Sequence, residues 1–168
     1  MDRVSYARFH EDPEKLHVNC ESPRAYFIPF ASRLRAESFN RSMSEEFISL
    51  CGEWSFRYYP SFADFKTEDL SGVIPWSITV PSCWQLYLDR GYDKPGYIDM
   101  DYQFHLDPPF VGDDNPCGLY QRSFTLGCDF SEKSVYLNFE GVASCFYLWI
   151  NGVFTGYSQV SNGVSEFN

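Results

Sequence analysis

This sequence lacks most of the signatures that announce chemistry. Its six cysteines, Cys20, Cys51, Cys83, Cys117, Cys128 and Cys145, form no Cys-x-x-Cys pair and no Cys/His spacing of a zinc site. There is no Gly-x-Ser-x-Gly elbow and no glycine-rich phosphate loop. Histidine is scarce, and His10, His17 and His105 stand far apart, which reads as surface or structural use. No apolar run approaches the ~18 residues of a membrane span, and Met1 to Phe9 is polar where a secretory leader is apolar. Positive charge is also short. Lys and Arg number 13 against 23 Asp and Glu, a net charge of −10, which disfavours nucleic acid and anionic membranes as partners. The cysteines read as free thiols of a reducing compartment, so a cytoplasmic location is expected.

What is abundant is ring and turn. Aromatic residues make up 19% of the 168 residues and hydrophobic residues 44%. The first figure favours strands and packed rings over a helical bundle. The length suits one domain with a substantial core and is too short for a barrel enzyme of about 250 residues. Residues 1–45 read as an irregular N-terminal arm. In it, Arg24 to Phe30 is an apolar extended segment broken by Pro29, and Arg33 to Glu46 is polar with a turn of helix. Residues 46–168 read as the ordered body. Phe47 to Trp54 and Ser55 to Tyr59 are expected as two strands meeting at Gly52, and Ser61 to Leu70 as a short helix. Trp76–Val80, Tyr97–Leu106, Leu119–Leu126, Val135–Phe139 and Phe146–Ile150 follow as strands. Asn151-Gly152 joins the last of these to Val153–Gln159. That dipeptide is preferred in a two-residue hairpin turn because both positions accept positive φ. Many strands with little helix predict an antiparallel β-sandwich. Its last hairpin lies so near Asn168 that the sandwich reads as truncated, and a leftover edge invites pairing between chains.

Between Pro81 and Tyr120 the sequence gathers carboxylates (Asp89, Asp93, Asp99, Asp101, Asp107, Asp113, Asp114) and rings (Trp84, Tyr87, Tyr92, Tyr97, Tyr102, Phe104, Phe110). The alternate ligand positions of a calcium loop are missing, so the acids read as solvated loop groups. A pair of them working as glycosidase acid and nucleophile stays open, with nothing to select which two. The rings could stack on a pyranose, or simply anchor long loops.

In chain order, Arg24-Ala-Tyr-Phe-Ile-Pro-Phe30, Gly52-Glu-Trp-Ser-Phe56, Val80-Pro-Ser-Cys-Trp-Gln85, Gly91-Tyr-Asp93, Asp107-Pro-Pro-Phe-Val111, Asn115-Pro-Cys-Gly-Leu-Tyr120, Phe139-Glu-Gly-Val142, Trp149-Ile-Asn-Gly152, Gly156-Tyr-Ser-Gln159 and Ser165-Glu-Phe167 resemble the N-terminal part of bacterial β-galactosidases of glycoside hydrolase family 2. The resemblance implies an all-β fold, a jelly-roll (galactose-binding-like) antiparallel β-sandwich. In the full-length enzyme it implies a following immunoglobulin-like domain and a (β/α)8 barrel whose two glutamates carry a retaining mechanism. By that reading this segment holds no catalytic residue, Glu166 included. It is a non-catalytic sugar-binding domain forming a pocket wall and subunit contacts.

Two rim positions depart from the family pattern. Cys83 stands where Asn is usual, near the sugar hydroxyls, and is a weak hydrogen-bond partner by comparison. Val160 stands where some members have an Asp that helps hold sodium and the sugar; its side chain cannot ligate a hard cation. The resemblance implies no cofactor in this segment and admits Mg and Na in the full-length enzyme. The partners it implies are a galactoside substrate such as lactose, the remaining domains of the parent enzyme, and further copies in a homo-oligomer. A free-standing carbohydrate-binding module and a structural interaction domain are the rival readings. A β-glucuronide enzyme shares the domain order, but the run Asp107 to Pro116 sets this sequence apart from it.

Overall fold

Asn151 and Gly152 both take positive φ, 52° and 79°, and between them the chain reverses in two residues, with Ile150 paired to Val153. The computed structural model describes residues 8–96, 107–126 and 133–168. Its strands are β1 (His17–Val18), β2 (Gly52–Tyr59), β3 (Trp76–Val80), β4 (Cys117–Gln121), β5 (Leu137–Phe139), β6 (Cys145–Ile150), β7 (Val153–Gln159) and β8 (Ser165–Phe167). They form sheets ordered β1-β7-β6, β3-β2-β4 and β5-β8, and every pairing is antiparallel. Among the described residues the only α-helix is α1 (Arg33–Glu37), whose first turn is capped by Ser32 accepting from Arg35 N. The fold is therefore all-β and antiparallel, as the strand-and-turn pattern leads one to expect.

Aromatic rings hold the sheets together. Phe56 and Tyr157 are fully buried, with Ile78 and Phe167 almost so. Phe56 on β2 meets Tyr120 of β4 at 4.8 Å and Tyr92 at 5.3 Å between ring centroids. The link after β2 lays Phe62 on Tyr147 (5.7 Å) and Phe65 beside Trp149 (5.9 Å), both partners lying on β6. From the arm, Phe9 stacks on Tyr147 and Phe154 and lies tilted against Tyr157. Offset and edge-on pairs of this kind add about 0.5–1.5 kcal/mol each beyond burial.

Local expectations shift in several places. Phe47 to Cys51 is not a strand; the ladder begins at Gly52 and runs unbroken to Tyr59. The carbonyls that would extend it are taken by side chains: Trp54 Nε1 donates to Leu50 O (2.7 Å), and Arg122 Nη1 donates to Leu50 O and Cys51 O. The same guanidinium explains why β4 stops at Gln121 instead of reaching Leu126. Arg122 turns onto these carbonyls after the pairing of Ser55 with Gln121 has ended. Ser61 to Leu70 is two 3-10 turns, Phe62–Asp64 and Thr67–Ser71, not one helix. Phe65 between them is extended, and its ring packs edge-on against Tyr59. β5 is limited to Leu137–Phe139, the span paired with β8. The strand expected over 97–106 lies outside the described residues.

Candidate functional site

A groove of about 340 Å³ opens where the arm passes the end of β7, the following turn and the start of β8. The arm wall runs from His17 to Tyr26; the opposite wall is Gln159, Val160, Gly163 and Val164, with Ser165 and Glu166 also lining it. Pairing of His17 with Ser158 and Val18 with Tyr157 adds the arm to the edge of β7. Glu21 N donates to Glu166 O at 2.8 Å and so continues the attachment along β8.

Beneath this groove lies a short polar chain. His17 Nδ1 stands 2.9 Å from Ser158 Oγ, which is 2.7 Å from Ser165 Oγ. Ser158 is fully buried, and the chain satisfies it. Glu166 is 7% exposed, yet neither carboxylate oxygen is free. Oε1 accepts from Arg24 Nε at 2.6 Å and Oε2 from Asn138 Nδ2 at 3.0 Å. Arg24 also lies over the Tyr136 ring, 4.8 Å from its centroid. Gln159 Nε2 donates to Lys15 O, which leaves its side-chain oxygen as an acceptor. The groove thus offers hydrogen bonds from a held imidazole and an amide, beside a carboxylate already paired.

Of the two rim positions, Val160 borders this groove and Cys83 does not. Cys83 is exposed just past β3, where its carbonyl accepts from Leu86 N and opens the 3-10 turn Trp84–Leu86. Burial pushes the nearby Tyr120 hydroxyl up to about 12, with Cys83 and Tyr87 adding to the shift.

The other candidates separate by place. Trp84 stacks on Phe56 and meets Tyr58, and Tyr92 packs on the same two rings, so both serve the core. Tyr87 Oη accepts from Thr79 N at 3.0 Å. Phe110 is 62% exposed. Tyr97, Tyr102 and Phe104 lie outside the described residues, as do Asp99, Asp101 and His105. Asp89 sits 3.6 Å from Arg90, and Asp113 and Asp114 are exposed. His10 is structural: its Nδ1 lies 2.8 Å from Tyr147 Oη, its ring is edge-on to Phe62, and burial lowers its pKa. Five cysteines, Cys20, Cys51, Cys83, Cys117 and Cys145, are free thiols. Among the described residues no three His, Cys, Asp or Glu side chains gather as a metal site, and no helix is long and apolar enough to cross a membrane.

Sequence reading missed the Arg24–Glu166 pair and the His17–Ser158–Ser165 chain. The partners stand 142 and 141 residues apart, and no local pattern joins them.

Fold and groove together define a class: an all-β antiparallel domain presenting a cleft of mixed polarity, closed on one side by its own N-terminal arm. The sequence model of the "Glycosyl hydrolases family 2, sugar binding domain" matches residues 47–168, and the chain belongs to that family. It is 41% identical over 160 residues to the β-galactosidase of Actinobacillus pleuropneumoniae, covering 95% of this chain and 15% of that protein. It is 40% identical over 162 residues to the β-galactosidase of Staphylococcus xylosus, covering 96% and 16%. With the β-galactosidase of Pseudoalteromonas haloplanktis the identity is 43% over 177 residues, covering 100% and 16%. The chain therefore spans roughly a sixth of the length of these curated relatives.

Proposed function

We propose that this chain is the non-catalytic sugar-binding domain of a retaining β-galactosidase acting on terminal β-D-galactosides such as lactose. In that role it supplies a wall of the substrate pocket and contacts between subunits. The observation that carries the reading is identity of 40–41% over 95–96% of the chain to proteins named β-galactosidase, each about six times as long. The two carboxyl groups of a retaining mechanism stand about 5–5.5 Å apart, one as acid/base and one as nucleophile. The buried carboxylate of this groove, Glu166, is held by Arg24 and Asn138 as a structural anchor; on this reading the hydrolytic glutamates belong to the remaining domains.

By the resemblance Cys83 and Val160 are the rim positions of the substrate pocket; of the two, Val160 borders the groove between the arm and β7, and Cys83 lies apart from it. The Val160 side chain carries no oxygen and so cannot itself ligate a sodium ion. Five free thiols accord with a reducing, cytoplasmic setting.

The test is an assay of this chain and of the complete gene product on an aryl β-galactoside, with the anomer of the released galactose followed by NMR. The expected result is no turnover by the chain and hydrolysis with retention by the complete product. A complete product without galactosidase activity refutes the reading in favour of a free-standing module or a structural domain. Turnover by the chain alone refutes the assignment of the catalytic glutamates.

A further inference from the structure

The first turn of the arm, Phe9–Glu11, is held to the body at three separate points, and His10 is the central one. Phe9 packs on rings of β6 and β7. The His10 ring stands edge-on to Phe62 at 4.9 Å and to Tyr147 at 6.1 Å, with its Nδ1 2.8 Å from Tyr147 Oη. Glu11 Oε1 accepts from Val111 N at 3.2 Å, so the same turn straps the segment that follows Pro109.

This seat suits a neutral imidazole. The backbone N–H groups of Phe9 and His10 also reach the Tyr147 oxygen, which leaves the hydroxyl proton for Nδ1 to accept. An imidazolium carries its own proton on Nδ1 and meets an oxygen already engaged. The charges around the ring do not compensate. On its own turn, Glu11 is committed to Val111 N and to Arg8, whose Nη1 lies 3.0 Å from both carboxylate oxygens, and Arg8 itself repels a second cation. From β6 the ring faces the Tyr147 hydroxyl, which burial pushes up to about 12 and keeps neutral, with the Cys145 thiol beyond it. Asp64, the acid of the turn that carries Phe62, is exposed and acts on Cys117. Burial accordingly pushes the His10 imidazole below the usual histidine range, against a smaller opposing pull from Glu11.

We propose that His10 is a pH-sensitive latch: the turn Phe9–Glu11 docks with a neutral imidazole, and protonation releases the turn together with the Val111 backbone that Glu11 straps. The latch is independent of the sugar-binding reading. The undocked ring keeps the ordinary value of 6.5 and the docked ring titrates lower. Docking is therefore strongest above pH 6.5 and weakens as pH falls below it, until the docked ring is protonated as well. Between pH 7.5 and 5.5 the protonated share of the undocked ring limits the rise in opening to about tenfold.

The experiment is amide hydrogen exchange at pH 7.5 and 5.5, corrected for intrinsic rates, with the His10 ring titrated by NMR, on wild type and His10→Phe. Phenylalanine keeps a ring against Phe62 and Tyr147 and cannot titrate. In wild type, protection should fall at least about threefold on acidification at Val111 and at Asp12, whose N–H donates to Phe9 O at 3.1 Å. Gln159, bonded to Leu16 O further along the arm, should keep its protection. In His10→Phe the fall should stay under about twofold. The wild-type His10 ring should titrate below 6.5. Protection at Val111 and Asp12 that is equal at the two pH values overturns the latch, as does a parallel loss at Gln159 or a pH dependence that persists in His10→Phe. A wild-type His10 ring that titrates at or above 6.5 overturns it whether or not the variant folds.

Discussion

Gly156 is the narrowest point in the attachment of the arm, and Gly156→Ala tests that attachment directly. A Cβ built on Gly156 would lie 2.6 Å from the carbonyl oxygen of Val18 and 2.5 Å and 2.9 Å from two ring carbons of Phe167. Phe167 is 2% exposed and wedged against Phe139 and Phe146, so its ring has little room to turn away. The Val18 carbonyl belongs to the two-residue pairing of β1 with β7 and moves only if the arm moves. Overpacking a tight core costs about 1–3 kcal/mol. The loss of backbone freedom in the unfolded chain returns about 0.4–1 kcal/mol of this. Two backbone and ring obstacles place the site toward the upper end, for a net loss of about 2 kcal/mol. With a urea m-value of about 2 kcal/mol/M, the midpoint should fall by about 1 M.

The assay is urea unfolding followed by tryptophan fluorescence, combined with amide exchange at Gln159, whose N–H donates to Leu16 O of the arm at 3.1 Å. Gly156→Ala should lose protection there before global unfolding. Gly152→Ala is the control: its φ is +79° and nothing lies within 4 Å of an added Cβ, so it should cost about 1 kcal/mol of backbone strain and leave Gln159 protected. Adding Phe167→Leu to Gly156→Ala should restore little, because the carbonyl remains in the way. An unchanged midpoint, or a Gln159 amide that stays as protected as in wild type, refutes the close approach of arm and β7.

Phe56→Ala should cost about 3–5 kcal/mol, since the ring is fully buried among Trp84, Tyr92 and Tyr120; a drop under 1 kcal/mol in urea unfolding would contradict that packing. Hydrogen bonds from Tyr26 and Arg41 hold the Glu140 carboxyl below its usual range, so this clasp stabilises the fold above the ordinary glutamate value of 4.5 and is lost as pH falls through the lower folded value. Its partners are half exposed, so the effect is below about 1 kcal/mol; the Glu140 carboxyl 13C shift should titrate low, and return toward the ordinary range in Tyr26→Phe. Burial pushes the Cys117 thiol up to about 12, whereas Cys51 and Cys83 are exposed. Iodoacetamide at pH 8 should label the two exposed cysteines while leaving Cys117 intact, and early labelling of Cys117 by mass spectrometry would count against its burial.

The parts of the fold legible in sequence are those whose cause is local. Asn151-Gly152 names its own turn, and β6 and β7 on either side follow from apolar, β-rich runs. The ladder of β3 was likewise readable from Trp76 to Val80. Where the sequence misled, a side chain had captured backbone groups that a strand would use. Trp54 and Arg122 take the carbonyls of Leu50 and Cys51, and no periodicity records such a capture. The link at 62–65 differs for another reason: its two phenylalanines are spent on Tyr147 and Trp149, and this splits the expected helix into separate turns.

The groove is a harder case, because its walls come from opposite ends of the chain. The family's sequence pattern covers residues 47–168, yet the wall from His17 to Tyr26 precedes it. That wall is fixed by groups deep in the patterned part: Ser158 holds His17, and Glu166 holds Arg24. Breaking a buried pair is costly because it strands a charge, so Glu166 in effect requires a cation from the arm. A sugar-binding sequence pattern therefore carries in Glu166 and Ser158 the demand for an arm that the pattern itself does not describe. The arm segment is then free to vary at positions facing the groove, provided Arg24 and the strand pairing of His17 and Val18 are kept. Residues lining the groove can change while the buried anchors, and with them the fold, stay fixed.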